Sequence, residues 1–334
     1  MMNKHIINPE PMYDEDEKFY EDDDDMEINE ESILKEHPSQ YIKDDNKFVP
    51  LPATVNKLPA GYYKPIYTSY NDKVFAVKKN IASGKLYDLP NGLYKTLTDD
   101  ITHFWESEAR YRQFGNLYKR NILLYSIPGN GKTCLIHQVC EDIINRYEGV
   151  VFYIDDQETL EAYPKLMDKV RAIEPNRKII TIIEDFERLI GKEHNSSLLL
   201  QILDGSNQYD GVLTIATTNY PEKIGEQFTL RPSRFNLIVE YKKPDENVRR
   251  FYITNKLKDA GFDIEKIKDD IERYVQKTEG YTFDYVKEAI EGIYVTEIPE
   301  DELFERLNKS ISMKGKYTTT ERSIGRLGFL NSDD

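Results

Sequence analysis

The segment that most limits what this chain can become is an apolar run, Asn121-Ile122-Leu123-Leu124-Tyr125. It is followed at once by Ser126-Ile127-Pro128-Gly129-Asn130-Gly131-Lys132-Thr133 and then by an apolar stretch expected to be helical. A strand that turns through glycines into a helix opening on Lys-Thr is the context of a phosphate-binding loop, Gly-x-x-x-x-Gly-Lys-Ser/Thr. Every fixed position matches except the first, which is Ser126. Glycines at 129 and 131 let backbone N–H groups turn inward around phosphates, and the helix N-terminus adds partial positive charge. Lys132 would then reach the β- and γ-phosphates and Thr133 would hold Mg2+. A side chain at position 126 costs about 1–2 kcal/mol if the backbone there is left-handed.

The rest of the chain supplies the alternation that such a loop requires. Strands are expected at 121–125, 150–154, 178–183, 212–217 and 237–241, with helices from Lys132, near 158–172 and near 196–203. Short β-rich runs alternating with helices argue for an α/β fold, a parallel sheet covered on both faces. Ahead of it, residues 94–114 carry Leu97, Ile101, Phe104 and Trp105 at helical spacing and stop at Gly115. Residues 47–92 are rich in Tyr, Val and Pro and read as a small β element in front of the main domain at 93–243. Beyond Pro244 the pattern is helical throughout, an α-only domain at 244–313 followed by a C-terminal tail at 314–334.

Of the formal net charge of −15, sixteen acids and four lysines within residues 1–46 account for −12 and leave −3 for the remainder. That segment, with its run Asp22 to Asp25, has too little apolar surface to offset chain entropy and reads as an acidic, disordered tail. The nearly balanced body shows no Lys/Arg stripe with interleaved aromatics, so a nucleic-acid partner gains no support. Cys134 and Cys140, six apart on one expected helix, lack the spacing of a zinc site and read as buried thiols in a reducing compartment. No apolar run approaches the ~18 residues of a membrane span, and the N-terminus is acidic where a signal would be basic. A cytoplasmic protein with no membrane partner is expected.

Three further segments carry chemistry. Ile179-Ile180-Thr181-Ile182-Ile183-Glu184-Asp185 is a buried-type strand delivering two carboxylates at its carboxyl end, where ligands sit in open α/β sheets. One acid can serve the magnesium shell while the other polarises attacking water. Leu213 to Asn219 is another strand, ending in an amide suited to orienting a water or a γ-phosphate. Leu230-Arg231-Pro232-Ser233-Arg234-Phe235 offers two guanidinium groups, fitting partners for a γ-phosphate whose charge spreads in the transition state.

In this order and spacing the four segments resemble the AAA+ ATPases, specifically those whose second region of homology ends in Arg-Pro-x-Arg-Phe. The resemblance covers roughly residues 90–290. Lys119 to Tyr125 and the Glu184-Asp185 order look most like the mitochondrial Rieske-assembly chaperone branch. The resemblance implies that 126–133 is Walker A, with Pro128, Gly129, Asn130, Gly131, Lys132, Thr133 and Cys134 around ATP, and that Thr133, Glu184 and Asp185 serve Mg2+. It makes Glu184-Asp185 an inverted Walker B pair, either of which could be the base, and Asn219 sensor 1. Arg231 and Arg234 become arginine fingers acting on a neighbouring subunit's ATP, which needs a head-to-tail homo-oligomeric ring, usually a hexamer. The α-only domain becomes a lid, with residues 278–290 near nucleotide but without a sensor arginine.

Where threading members present an aromatic pore loop, this chain has the acidic Ile154-Asp155-Asp156-Gln157-Glu158. The resemblance implies an ATP-hydrolysing machine that remodels a protein partner. A slow nucleotide-gated adaptor or assembly scaffold, and a DNA clamp- or helicase-loader-like ATPase, are the alternatives. Abundant Asn, Lys, Ile and Tyr suggest an AT-rich genome such as that of a large bacteriophage, with the host cytoplasm as location.

Overall fold

The computed structural model describes residues 40–44, 47–51, 55–69, 73–81, 87, 89–90 and 92–321. Two units emerge, dividing between Leu58 and Pro59. In the first, β1 (Gln40–Asp44) and β2 (Lys47–Leu51) form an antiparallel hairpin. The strand at 40–44 falls inside the segment expected to be a disordered tail; the remainder of residues 1–46 lies outside the described residues.

The second unit holds a seven-stranded sheet in the order β4-β3-β6-β7-β8-β5-β9. These strands are β3 (Gly61–Thr68), β4 (Lys73–Lys79), β5 (Lys119–Tyr125), β6 (Val150–Ile154), β7 (Ile179–Ile183), β8 (Val212–Thr218) and β9 (Leu237–Glu240). All neighbours pair in parallel except β3 with β4. Every residue of β6, β7 and β8 is buried, as befits strands covered on both faces, which read as unbroken apolar runs. The α/β parallel-sheet core expected from the alternation is therefore present.

The small β element expected at 47–92 does not stand apart in front of that core. Its first strand belongs to the β1–β2 hairpin, whereas β3 and β4 are the edge of the main sheet, with Gly61, Tyr62 and Tyr63 beside Val150, Val151 and Phe152. Tyr62 and Tyr63 are buried there. Burial of these aromatic residues draws β3, with β4 beside it, onto the sheet, a long-range pairing that local alternation does not reveal.

The helix expected at 94–114 is two helices, α1 (Leu93–Glu106) and α2 (Glu108–Gln113). At the break the Ser107 hydroxyl donates to His103 O at 2.7 Å and its amide donates to Phe104 O. Serine side chains compete in this way with the regular ladder. Leu97, Ile101, Phe104 and Trp105 are buried as the spacing predicts, against a core shared with Ile122, Leu124, Ile136 and Val139.

Between the strands run α3 (Lys132–Tyr147), α4 (Gln157–Ile173), α5 (Phe186–Leu189), α6 (Glu193–Asp204) and α7 (Glu226–Thr229). After the sheet come α8 (Glu246–Asp259), α9 (Lys268–Lys277), α10 (Phe283–Tyr294) and α11 (Glu300–Glu321). The last of these runs past position 313 into the expected C-terminal tail. Ile253, Leu257, Val286, Leu303 and Leu307 give these four helices a core of their own. Among the described residues no helix is long and apolar enough to cross a membrane.

Candidate functional site

The carboxyl ends of β5, β8 and β7 lie side by side, and the chain leaving each of these strands enters the same region. After β5 the chain turns through Gly129 at φ 78 and Gly131 at φ 83, left-handed values that glycine adopts without a Cβ penalty. Asn130 is 1% exposed, and its side-chain N–H donates to Tyr241 O at 2.7 Å, tying the loop to the residue after β9. Ser126 is buried and is not among the positive-φ residues, so the strain considered for this position does not arise. Instead its hydroxyl accepts from the Lys132 ammonium at 3.0 Å.

That ammonium also donates to Asn219 Oδ1 at 2.5 Å and to Ser126 O at 3.3 Å. Burial pushes the Lys132 pKa down, against the opposing pull of Glu187, Asp185 and Glu184. A desolvated ammonium among carboxylates, held at the start of a helix, is poised for an anion.

The two carboxylates separate by environment. Thr133 Oγ1 donates to Glu184 Oε1 at 3.1 Å. Burial raises the Glu184 pKa, with the Thr133 hydrogen bond and Lys79 opposing. Asp185 sits at φ 46 and ψ 52, a region that Asp tolerates better than most residues. The turn aims it differently from its neighbour: Asp185 Oδ1 accepts from the Asn219 amide at 3.1 Å, and Oδ2 pairs with Arg188 at 3.2 Å. Glu187 Oε1 accepts from the Asn219 backbone N–H at 3.3 Å. Lys132, Thr133, Glu184, Asp185 and Asn219 therefore form one connected cluster, assembled from three strand ends. A hydroxyl and a carboxylate in contact are hard oxygen donors, the set that Mg2+ takes while keeping several waters.

Arg231 and Arg234 are not brought to this cluster. Asn121 N–H groups bond to Asn236 Oδ1 and Arg234 O, anchoring the arginine turn at the amino end of β5. The phosphate loop leaves the other end, and a seven-residue strand spans about 20 Å. The Arg234 side chain is mostly buried and faces Asp204 at 3.7 Å, whereas Arg231 is exposed.

Cys134 is exposed, not buried as expected; only Cys140 is buried. The first turn of α3 turns Cys134 outward, onto a cavity of about 280 Å³ that sequence reasoning did not foresee. Tyr87, Tyr241, Tyr252 and Phe283 also line it, together with Gln138. The only advance signal was the segment 278–290, whose Phe283 and Asp284 do reach the loop. The Asp284 backbone N–H donates to Gly129 O at 3.0 Å, and a Cβ on Gly129 would lie 2.7 Å from Asp284 Oδ2.

Gly129→Ala is therefore expected to destabilise the fold by about 1–2 kcal/mol from the left-handed backbone alone, plus the carboxylate contact. In chemical denaturation, adding Asp284→Ala should recover the contact part and leave the backbone part. Unchanged stability in Gly129→Ala would contradict the left-handed loop.

The acidic segment expected in place of a pore loop is a tight strand-to-helix turn. Asp156 caps α4 through Thr159, and Lys64 of β3 pairs with Asp155 at 3.3 Å and Asp156 at 3.1 Å.

Comparison with known proteins agrees with this geometry. The family model described as ATPase family associated with various cellular activities (AAA) matches residues 122–243. The mitochondrial inner membrane i-AAA protease supercomplex subunit YME1 of Saccharomyces cerevisiae is 26% identical over 175 residues, 48% of this chain and 23% of that protein. The ATP-dependent zinc metalloprotease FtsH 2 of Symbiobacterium thermophilum is 24% identical over 208 residues, 55% of this chain and 33% of that protein. A putative cell division cycle ATPase of Plasmodium falciparum is 26% identical over 209 residues, 58% of this chain and 16% of that protein. The chain thus spans a third or less of the length of these relatives.

Proposed function

From the premise that this chain belongs to the AAA ATPases, we propose that it binds ATP with Mg2+ and hydrolyses it in a homo-oligomeric ring that remodels a protein partner. The contact of Lys132 with Asn219, itself bonded to Asp185, is the observation that carries the reading. One residue chain links a phosphate-seeking cation to a carboxylate that can act on water.

Backbone amides of the 128–133 loop and the Lys132 ammonium bind the β- and γ-phosphates. Thr133 and Glu184 are the oxygen donors for Mg2+, which when bound neutralises charge on the phosphate oxygens. Asp185 is the general base: its carboxylate takes the proton as water oxygen attacks Pγ, the bond from Pγ to the β–γ bridging oxygen breaks, and ADP leaves. Asn219 orients that carboxylate and, once Lys132 turns to phosphate, is free to face the γ-phosphoryl group.

Within the cluster Lys132 is the cation aimed at phosphate, and the nearby Arg188 is paired with Asp185 at 3.2 Å. The exposed Arg231, and Arg234 beside it, lie at the opposite end of β5, a position that suits service to a neighbouring copy. Such head-to-tail contacts close into rings. ATPase rate per subunit, measured over a wide range of protein concentrations, tests this. A rate that climbs as assemblies form supports it, and a flat rate overturns the shared site.

A slowly hydrolysing, nucleotide-gated scaffold is the second reading. It is favoured by the shorter Asp at the position of the base, tied to both Asn219 and Arg188. ATP bound one per subunit with no turnover in any assembly would favour it.

A further inference from the structure

At the amino end of the sheet, the residues leading into β5, β7 and β8 meet the ends of α1 and α4 around a cavity of about 30 Å³. It lies at the opposite end of these strands from the phosphate loop. Two donors belonging to its wall are unmatched. Trp105 is 5% exposed, and its indole N–H has no acceptor among the described residues. The same holds for the Arg171 Nε–H. Buried N–H groups nearly always find an acceptor, and one left alone costs free energy. Two such residues lining a single cavity call for the same guest.

The charges around the cavity divide into those already matched and those not. Arg112 donates to Glu108 and to Asp210, both at 2.8 Å, and Arg177 pairs with Glu174 at 3.1 Å. Glu108 and Asp210, the acids of the wall, are thereby engaged. Arg171 instead directs its terminal N–H groups at neutral backbone oxygens, those of Pro175, Arg177 and Gly211. Lys178 rests over the Tyr147 ring at 3.8 Å and the Trp105 ring at 5.4 Å. Neither of these two cations forms an ion pair with a carboxylate among the described residues. Burial pushes the pKa of both down, against the pull of Tyr163, Asp210 and Glu174 on Arg171 and of Glu108 and Glu106 on Lys178. That is the behaviour of cations short of close counter-charge.

We infer that this cavity binds one carboxylate group, held between the Trp105 indole N–H and the Arg171 guanidinium, with Lys178 adding positive charge. A water takes up about 10–15 Å³ of cavity, so the space suits two oxygen-sized atoms. An ionised carboxylate has two oxygens and accepts at both, one for each unmatched donor. Phosphate, with four oxygens in a tetrahedron, is too large for the same space. The carboxylate can belong to a small organic acid or to a Glu or Asp side chain of a protein partner.

The chain contains one tryptophan, so after ¹⁵N labelling of tryptophan a single indole N–H resonance reports on this site. Adding sodium acetate to the full chain is expected to move that resonance downfield and to saturate, whereas sodium chloride at equal ionic strength moves it little. Inorganic phosphate should bind at least about tenfold more weakly than acetate. Trp105→Phe removes the donor and keeps an aromatic ring; by calorimetry, acetate should bind it about tenfold more weakly or worse, with circular dichroism unchanged. A short glutamate-rich peptide separates the two sources. Displacement of acetate by the peptide supports an acidic side chain as the occupant, and acetate binding that the peptide does not disturb supports a small organic acid. An indole resonance that ignores acetate, or follows chloride equally, overturns the inference without relying on any variant. So does phosphate binding as tight as that of acetate, or unchanged acetate affinity in folded Trp105→Phe.

Discussion

Lys132→Ala is expected to lower ATP affinity by at least about 100-fold, because a charge-assisted hydrogen bond contributes about 1.5–3 kcal/mol and the ammonium can donate more than one. Those donors point at oxygens, Asn219 Oδ1 at 2.5 Å and Ser126 Oγ at 3.0 Å, which phosphate oxygens would replace. The variant also leaves Glu184, Asp185 and Glu187 without the cation that faces them, so an incoming triphosphate meets net negative charge. The fold should survive, since a buried ammonium is itself costly. Equilibrium ATP binding, read beside circular dichroism, checks this; affinity within about threefold of the unaltered chain, with the fold intact, would be incompatible with the site.

Asp185→Asn and Arg231→Ala should each reduce turnover by orders of magnitude, about 10²–10⁴ for the base and about 10³–10⁵ for the arginine. Both should leave ATP binding largely in place. Mixed in equal amounts, the two dead proteins should recover activity. A site is whole when its own subunit carries Asp185 and its neighbour carries Arg231, which random assembly gives in about a quarter of cases. Arg231 is the cleaner probe, because Arg234 also faces Asp204 within its own subunit and its removal leaves that carboxylate short of a partner. If mixtures stay inactive under conditions where subunits exchange, the two residues do not serve one site across an interface.

What could be read from the sequence was what the chain writes locally. The strand, loop and helix over 119–147 are contiguous, and the glycines declare their own backbone, so Gly129 to Thr133 fall where expected. Glu184-Asp185 and Asn219 were legible because each ends a strand buried on both faces. Their separation into different surroundings was not. It depends on the left-handed Asp185, which turns one carboxylate towards Thr133 and the other towards Asn219.

The cavity beside the 126–133 loop was illegible for a different reason. Tyr87, Gln138, Tyr241, Tyr252 and Phe283 are far apart along the chain, and each alone is an ordinary aromatic or polar residue. The same holds for Tyr62 and Tyr63, which join the sheet through a partner strand some ninety positions away. Cys134 was misread because the turn of α3 on which it lies faces this unforeseen hollow.

The bond between the Asp284 amide and Gly129 O has a mechanical corollary. Helices α8 to α11 share one packed interior, so a displacement of one of them relative to the loop would carry the others with it. The 22 residues of α11 reach about 33 Å. A tilt too slight to notice at Gly129 would become a broad sweep at the helix tip, much as a watch hand magnifies the motion of its arbor.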